Sequence, residues 1–279
     1  MTAAVPSITL NDGNTIPQLG LGVFKVDAAD TANVVAEALE IGYRHVDTAQ
    51  MYGNEAGVGE AVRRSGIDRA ELFLTTKLNN GNHRPDDARR AFEQSLATLR
   101  LDFVDLFLIH WPRPTQDGDG YVETWRTLEE LAHDGRARSI GVSNFQVSHL
   151  ERLAAETETV PAVNQIELHP AFGNEEVRAY GEAHGIATEA WSPLAKGEVL
   201  EDATIVELAE AHARTPAQIV LRWHIERGTI VFPKSSSPDR LRENFELFDF
   251  ELSADEVGRI CALDRGEAGR MGSHPDSFG

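Results

Sequence analysis

The chain has 279 residues, close to the roughly 250 of one α/β barrel, and its 41% hydrophobic and 25% charged residues allow a buried core and exclude a disordered polymer. A formal charge of −19 excludes electrostatic binding of nucleic acid or an anionic membrane as the main task, since both need clustered Lys and Arg. No run approaches the ~18 apolar residues of a membrane span, the first residues lack the basic and apolar segments of a secretion signal, and the single Cys261 forms no disulfide framework. The expectation is a cytoplasmic protein with Cys261 as a buried, inert thiol in a helix.

In chain order, residues 7–15 come first, with β-prone arms on either side of Asn11-Asp12-Gly13. They read as a hairpin outside the main pattern, placed to plug one mouth of a barrel. From residue 17 onward, short β-branched runs alternate with longer segments of helical period, the pattern of parallel βαβ units. Strands are expected at 18–22, 44–47, 72–76, 104–109, 139–142, 162–167, 187–190 and 229–232. Helices are expected at 31–40, 86–99, 122–133, 146–155, 175–184 and 216–226, several after Asp, Asn, Ser or Thr caps. A doubly wound sheet has the same alternation, but its Gly-x-Gly-x-x-Gly turn is missing. The nearest approach, Gly57-Val58-Gly59, lacks both a preceding strand and the third glycine. With no linker or close repeat to divide the chain, the expectation is one domain over 1–279, a (β/α)₈ TIM barrel of the α/β class with an N-terminal hairpin.

Barrel enzymes build their sites at the carboxyl ends of the strands. The second strand ends at Asp47, the third runs into Lys77 and the fourth into His110, so an acid, a base and an imidazole reach one rim. Taken singly, each also reads as a surface cap or a structural ion pair. Tyr52, five residues past Asp47, sits in a loop able to fold its phenol over that rim. A free phenol, with a pKa near ~10, is a poor acid at neutral pH. An ammonium from Lys77, kept charged by Asp47, is expected to lower it. With His110 orienting a carbonyl oxygen, Tyr52 then protonates the developing alkoxide as hydride arrives. The set has no obvious nucleophile, so polar addition to a carbonyl fits better than acyl transfer.

Later strand ends carry a different chemistry. Ser143-Asn144 follow the fifth strand, Gln165 lies in the sixth, Trp191-Ser192-Pro193-Leu194 follow the seventh, and Phe232-Pro233-Lys234-Ser235 end the eighth. Amides and hydroxyls suit a carboxamide, an indole suits a flat ring, and Lys234 with Arg240 suits a phosphate beside the free amides of a helix start. The alternative is that Ser235–Ser237 merely cap that helix and Arg240 is a solvated charge. His45 reads as a packed core residue, and His184, His212 and His224 lie on helices without metal-site spacing, so no metal is expected.

Long stretches carry a resemblance. Gly42-Tyr43-Arg44-His45-Val46-Asp47-Thr48-Ala49 with Tyr52-Gly53-Asn54-Glu55, Val104 to Pro112, Gly141-Val142-Ser143-Asn144-Phe145, Asn164-Gln165-Ile166-Glu167 and Phe232 to Ser235 with Glu243-Asn244 resemble the aldo-keto reductases, almost end to end. The N-terminal Val-Pro-Ser-Ile, Trp191 and the Ser-His-Pro-Asp tail are most similar to the bacterial 2,5-diketo-D-gluconate reductase branch. The resemblance implies a barrel, usually monomeric, that binds NADPH without a Rossmann fold. It implies a catalytic tetrad of Asp47, Tyr52, Lys77 and His110. It implies nicotinamide contacts at Ser143, Asn144, Gln165 and Trp191, 2′-phosphate contacts at Lys234, Ser235 and Arg240, and adenine contacts at Glu243 and Asn244. Ser192, Pro193, Leu194 and Phe232 are counted with the cofactor site.

One departure touches the substrate. Relatives commonly read Leu-Trp-Asn after the lysine, whereas this chain reads Leu78-Asn79-Asn80, so an aromatic wall is missing unless Asn79 simply faces solvent. Phe24 and Trp111 are expected to flank the pocket. A short fourth βα loop, 112–120, and a short tail after Asp264 favour small aldehydes, dicarbonyls or keto-sugars over bulky substrates. Two rival functions stay open: a Schiff-base lyase using Lys77, and a cofactor-binding redox sensor with little turnover.

Overall fold

The computed structural model describes residues 5–117 and 120–278. Gly118 and Asp119, part of the fourth βα loop whose shortness the sequence suggests, lie outside the described residues, as do residues 1–4 and 279. An antiparallel pair, β1 (Ser7–Thr9) and β2 (Thr15–Pro17), precedes the main sheet. Eight parallel strands follow: β3 (Leu21–Gly22), β4 (His45–Asp47), β5 (Phe73–Leu78), β6 (Val104–Ile109), β7 (Ala137–Ser143), β8 (Val163–Glu167), β9 (Ala187–Trp191) and β10 (Ile230–Val231). Each pairs with the next in sequence, β9 with β10 included although two α-helices lie between them, so the order β3 to β10 is unbroken.

The sheet closes on itself. Leu19 bridges Val231 in parallel, with the Gly20 amide donating to the Val231 carbonyl at 2.7 Å and the Val231 amide to that of Gln18 at 2.9 Å. Closure is tight: a Cβ on Gly20 would stand 2.6 Å from Nδ1 of His45, and one on Gly22 2.6 Å from the Phe232 carbonyl oxygen. Glycine is therefore required on the closing strand. The same crowding leaves β3 and β10 with two ladder residues each, where the sequence suggests longer strands.

Around the barrel lie α1 (Ala28–Ile41), α2 (Glu55–Ser65), α3 (Pro85–Leu99), α4 (Pro114–Asp117), α5 (Gly120–His133), α6 (Val147–Glu156), α7 (Glu175–Ala183), α8 (Ala203–His212), α9 (Pro216–Glu226), α10 (Pro238–Phe245) and α11 (Ala254–Cys261). The starts follow capping chemistry: Asp27 and Asp202 each accept from an amide two residues on, and Thr215 with Gln218 and Ser253 with Glu256 form reciprocal capping boxes. Gly57-Val58-Gly59 lies inside α2 and serves packing. A Cβ on Gly59 would stand 2.0 Å from the Leu99 carbonyl oxygen, so α2 and α3 approach at backbone distance. Cys261 ends α11 half-buried rather than buried, with its sulfur accepting from Nε1 of Trp223 at 3.4 Å.

The hairpin plugs the amino-terminal mouth. Leu10 and Ile16 are buried against Phe73, Leu106, Ala162, Val163 and Ile230, and Asn14 Nδ2 donates to the Arg138 carbonyl at 3.0 Å. That seal leaves the carboxyl ends of the strands as the open rim. No helix among the described residues is long and apolar enough to cross a membrane.

Candidate active site

Barrel register decides which side chains meet. Asp47 on β4 stands opposite Thr75 on β5, and Lys77, two residues on, shares the inward face of Thr75. One layer is set by Ser143 opposite Gln165 and Gln165 opposite Glu189, on β7, β8 and β9. These polar side chains are buried, where each needs a partner.

They find them in one another. Nζ of Lys77 donates to Oδ1 and Oδ2 of Asp47 at 2.6 and 2.8 Å, to the Thr48 carbonyl at 2.9 Å and to the Tyr52 hydroxyl at 3.4 Å. Burial by itself would strip Lys77 of its proton, but Asp47 foremost outweighs it and holds the ammonium charged. Burial pushes the Asp47 carboxyl up, against the pull of Lys77 and Gln165. A fully engaged ammonium is a poor amine nucleophile, which argues against a Schiff base on Lys77.

Tyr52 lies in a short 3₁₀ turn, Gln50–Tyr52, closed by Gly53 in the left-handed region at φ 68°. Its ring centroid is 4.9 Å from that of Phe24 and 5.9 Å from that of His110, edge-on to the latter. The sequence suggests a lowered phenol pKa. The structure corrects this: burial pushes the Tyr52 phenol up, and Lys77 draws it down without cancelling the rise. The phenol is thus protonated at neutral pH, the state a proton donor needs. Burial, with Lys77 second, drives His110 well below the usual histidine range, so its imidazole is neutral. Its Nδ1 is buried without a hydrogen-bond partner among the described residues.

A second group of residues adjoins this cluster. Asn144, left-handed at φ 66°, donates from Nδ2 to the His110 carbonyl at 2.9 Å and accepts from Nε1 of Trp191 on Oδ1 at 2.8 Å. Ser143 donates to the Gln165 carbonyl at 2.8 Å. Ser192, at φ 51°, opens the turn after β9, and the buried His224 bonds the Pro193 carbonyl at 3.1 Å, with Leu194 packed on the core. Phe232 is buried beside His45. Lys234 and Arg240 are exposed, and no hydrogen bond or ion pair engages either among the described residues. Ser235 accepts from the Ser237 amide at 3.1 Å at the start of α10; Asn244 is buried, and Glu243 accepts from the Thr215 hydroxyl at 2.8 Å. A held indole, polar groups one layer deeper and two unpaired cations beside a helix start suit a dinucleotide phosphate chain and its flat ring.

Two features escape sequence reading. Glu189 is fully buried beside Gln165, and Glu167 clamps the tail, accepting from the Met271 and Gly272 amides at 2.6 and 2.9 Å and facing Nε2 of His169 at 3.2 Å. So held, Gly272 packs on Trp191, and Phe278 stacks on Trp111 with centroids 4.2 Å apart. The short tail therefore lays an aromatic ring on Trp111. Asn79 is half-buried, its amide donating to Oε1 of Gln50 at 2.7 Å. Only strand alternation hinted at Glu189, and nothing local tied Glu167 to residues a hundred positions away. Among the described residues, no three His, Cys, Asp or Glu side chains are grouped to hold a metal ion.

A model of the aldo/keto reductase family matches residues 18–265. The chain is 50% identical over 273 residues to an aldo-keto reductase of Mycolicibacterium smegmatis, and 48% identical over 274 residues to the methylglyoxal reductase DkgA of Escherichia coli K12, covering 98% of each chain in both cases. A crystal structure of a mutant of Gox0644 in complex with NADPH superposes with a TM-score of 0.95 at 50% identity, over 99% of this chain and all of that one.

Proposed function

The chain belongs to the aldo/keto reductase family, and from that premise we propose that it reduces small aldehydes, dicarbonyls or keto-sugars to alcohols with NADPH. The observation that carries this reading is the Asp47–Lys77–Tyr52 chain of contacts at the open rim, with a neutral imidazole beside the phenol. Bound NADPH supplies a hydride to the carbonyl carbon. The protein's part is proton transfer and orientation. His110, as a neutral donor, fixes the carbonyl oxygen, and Tyr52 gives it a proton as negative charge develops. Lys77, held charged by Asp47, steadies the phenolate that remains.

Ser143, Asn144 and Gln165 take the carboxamide in this reading, Trp191 the flat ring, Lys234, Ser235 and Arg240 the 2′-phosphate, and Glu243 and Asn244 the adenine. Phe24, Trp111 and Asn79 border the substrate. One chain supplies every role, which supports a monomer, and the lone Cys261 supports a cytoplasmic setting. The test is NADPH oxidation across a carbonyl panel that includes methylglyoxal, the substrate in the name of the Escherichia coli relative. Turnover supports the proposal. Tight NADPH binding with no turnover on any carbonyl would overturn it in favour of a sensor.

A further inference from the structure

Gln165 has two amide hydrogens and the structure spends both on carboxyl oxygens. Nε2 donates to Oδ2 of Asp47 at 2.9 Å and to Oε2 of Glu189 at 2.8 Å. Its Oε1 takes no hydrogen bond among the described residues and is not sealed in the core. The amide cannot turn over without setting its carbonyl against two carboxyl oxygens.

Glu189 is itself unusual: it is fully buried, and its Oε1 has no hydrogen-bond partner among the described residues. Nε2 of His45 stands 3.9 Å from that oxygen and 3.4 Å from the Thr75 hydroxyl. His45 Nδ1 faces the Pro17 carbonyl at 3.3 Å, a contact only an N–H can make, so Nε2 carries a lone pair and accepts from the Thr75 hydroxyl. His45 therefore offers Oε1 no donor, and a carboxylate oxygen there would be buried without one. The surrounding charges agree. β4 presents His45 and Asp47, β5 presents Lys77 with Tyr52 beyond it, β8 presents Gln165, and the facing residues of β10 are the apolar Ile230 and Val231. Lys77, the one cation among these described groups, is already matched by Asp47, so an ionised Glu189 would be a second buried anion without a partner. Burial, then Asp47, pushes the Glu189 carboxyl up to about 8.

We infer that Glu189 is a positioning residue, a neutral acid behind the tetrad that shares with Asp47 both hydrogens of Gln165 and so leaves the Gln165 carbonyl to receive the carboxamide of the cofactor. The inference rests on the NADPH reading above. It also ties carboxamide recognition to Asp47, since one amide spans both carboxyl groups. Ionisation of Glu189 places a second negative charge beside Asp47 and raises the Tyr52 phenol further, which slows its proton transfer.

The experiment compares wild type, E189Q and E189L, measuring NADPH dissociation constants by tryptophan quenching and the kcat of aldehyde reduction between about pH 6 and 10. E189Q keeps an acceptor for Gln165 and binds NADPH within about twofold of wild type; E189L removes the acceptor and weakens binding about five- to fifteen-fold. The wild-type kcat falls as pH rises through about 8, and E189Q lacks that fall. An E189L protein that binds NADPH as wild type does, a wild-type profile without the fall, or an E189Q profile that keeps it overturns the inference. If E189L does not fold, the E189Q profile decides. A wild type that neither binds nor oxidises NADPH removes the parent reading and the inference together, whereas an active wild type with unaltered variants removes the inference alone.

Discussion

The indole nitrogen of Trp191 donates to Oδ1 of Asn144 at 2.8 Å, so the ring proposed to stack on the nicotinamide is fixed by the side chain that also ties down the His110 carbonyl. A pinned indole loses little freedom when a flat ring settles on it. NADPH is therefore expected to quench part of the fluorescence of the four tryptophans, since Trp125 and Trp223 are fully buried in the core. Trp191→Phe should abolish most of the quench. An undiminished quench in that variant would place the stacking partner elsewhere.

Tyr52→Phe removes one hydroxyl and leaves Lys77 its contacts with Asp47 and the Thr48 carbonyl, so the fold and the cofactor site should persist. Loss of a positioned proton donor costs about 10²–10⁴ in rate. The expectation is a kcat lowered by that range with the NADPH dissociation constant within about twofold of wild type. Near-normal turnover by the folded variant would show that another group supplies the proton.

The parts of this site that were legible in the sequence are those set by strand ends. Asp47, Lys77 and His110 follow runs whose alternation fixes both face and direction, and the parallel βα pattern fixes the rim they share. The closing strands are shorter than the sequence suggests, because period gives no warning of the steric crowding at Gly20 and Gly22. The sign of the Tyr52 shift escapes the sequence for a related reason: Lys77 is visible there, but the depth of burial that outweighs it is a property of the packed barrel. Glu189 and Glu167 depend on partners far away in sequence, and no local pattern encodes such pairs.

Stability should pass through a maximum near neutrality. Burial holds His45 and His224 at about 3 and His110 well below its ordinary range, so between these values and 6.5 the unfolded chain binds protons that the native state refuses. Stability contributed in this way is present above pH 6.5 and is lost as pH falls, at about 1.4 kcal/mol per pH unit for each proton. Glu189 acts with the opposite sign. Its folded value of about 8 exceeds the ordinary 4.5, so its neutral form favours the native state at low pH and that contribution is lost as pH rises through about 8. Thermal unfolding measured across this range should show an acid-side loss in both proteins, and a shallower alkaline loss in Glu189→Gln than in wild type. An identical alkaline slope would mean that Glu189 is already ionised in the native protein.

Cofactor choice should reside in the segment after β10. With a formal charge of −19, the overall field repels a dinucleotide that carries an extra phosphate, so preference for NADPH over NADH needs local cations. Lys234 and Arg240 are exposed and unpaired among the described residues beside the start of α10, and Ser235 is buried between them in sequence. Hydrogen bonds to a charged phosphate are about twice as strong as neutral ones, and losing one should weaken binding roughly tenfold or more. Arg240→Ala is therefore expected to raise the dissociation constant for NADPH by at least roughly tenfold and to leave that for NADH nearly unchanged. Added salt should shrink the difference between variant and wild type, because it screens the exposed contact. Equal weakening of both cofactors would show that Arg240 supports the adenine or the fold, and the 2′-phosphate would then have to be held by Lys234 and Ser235 alone.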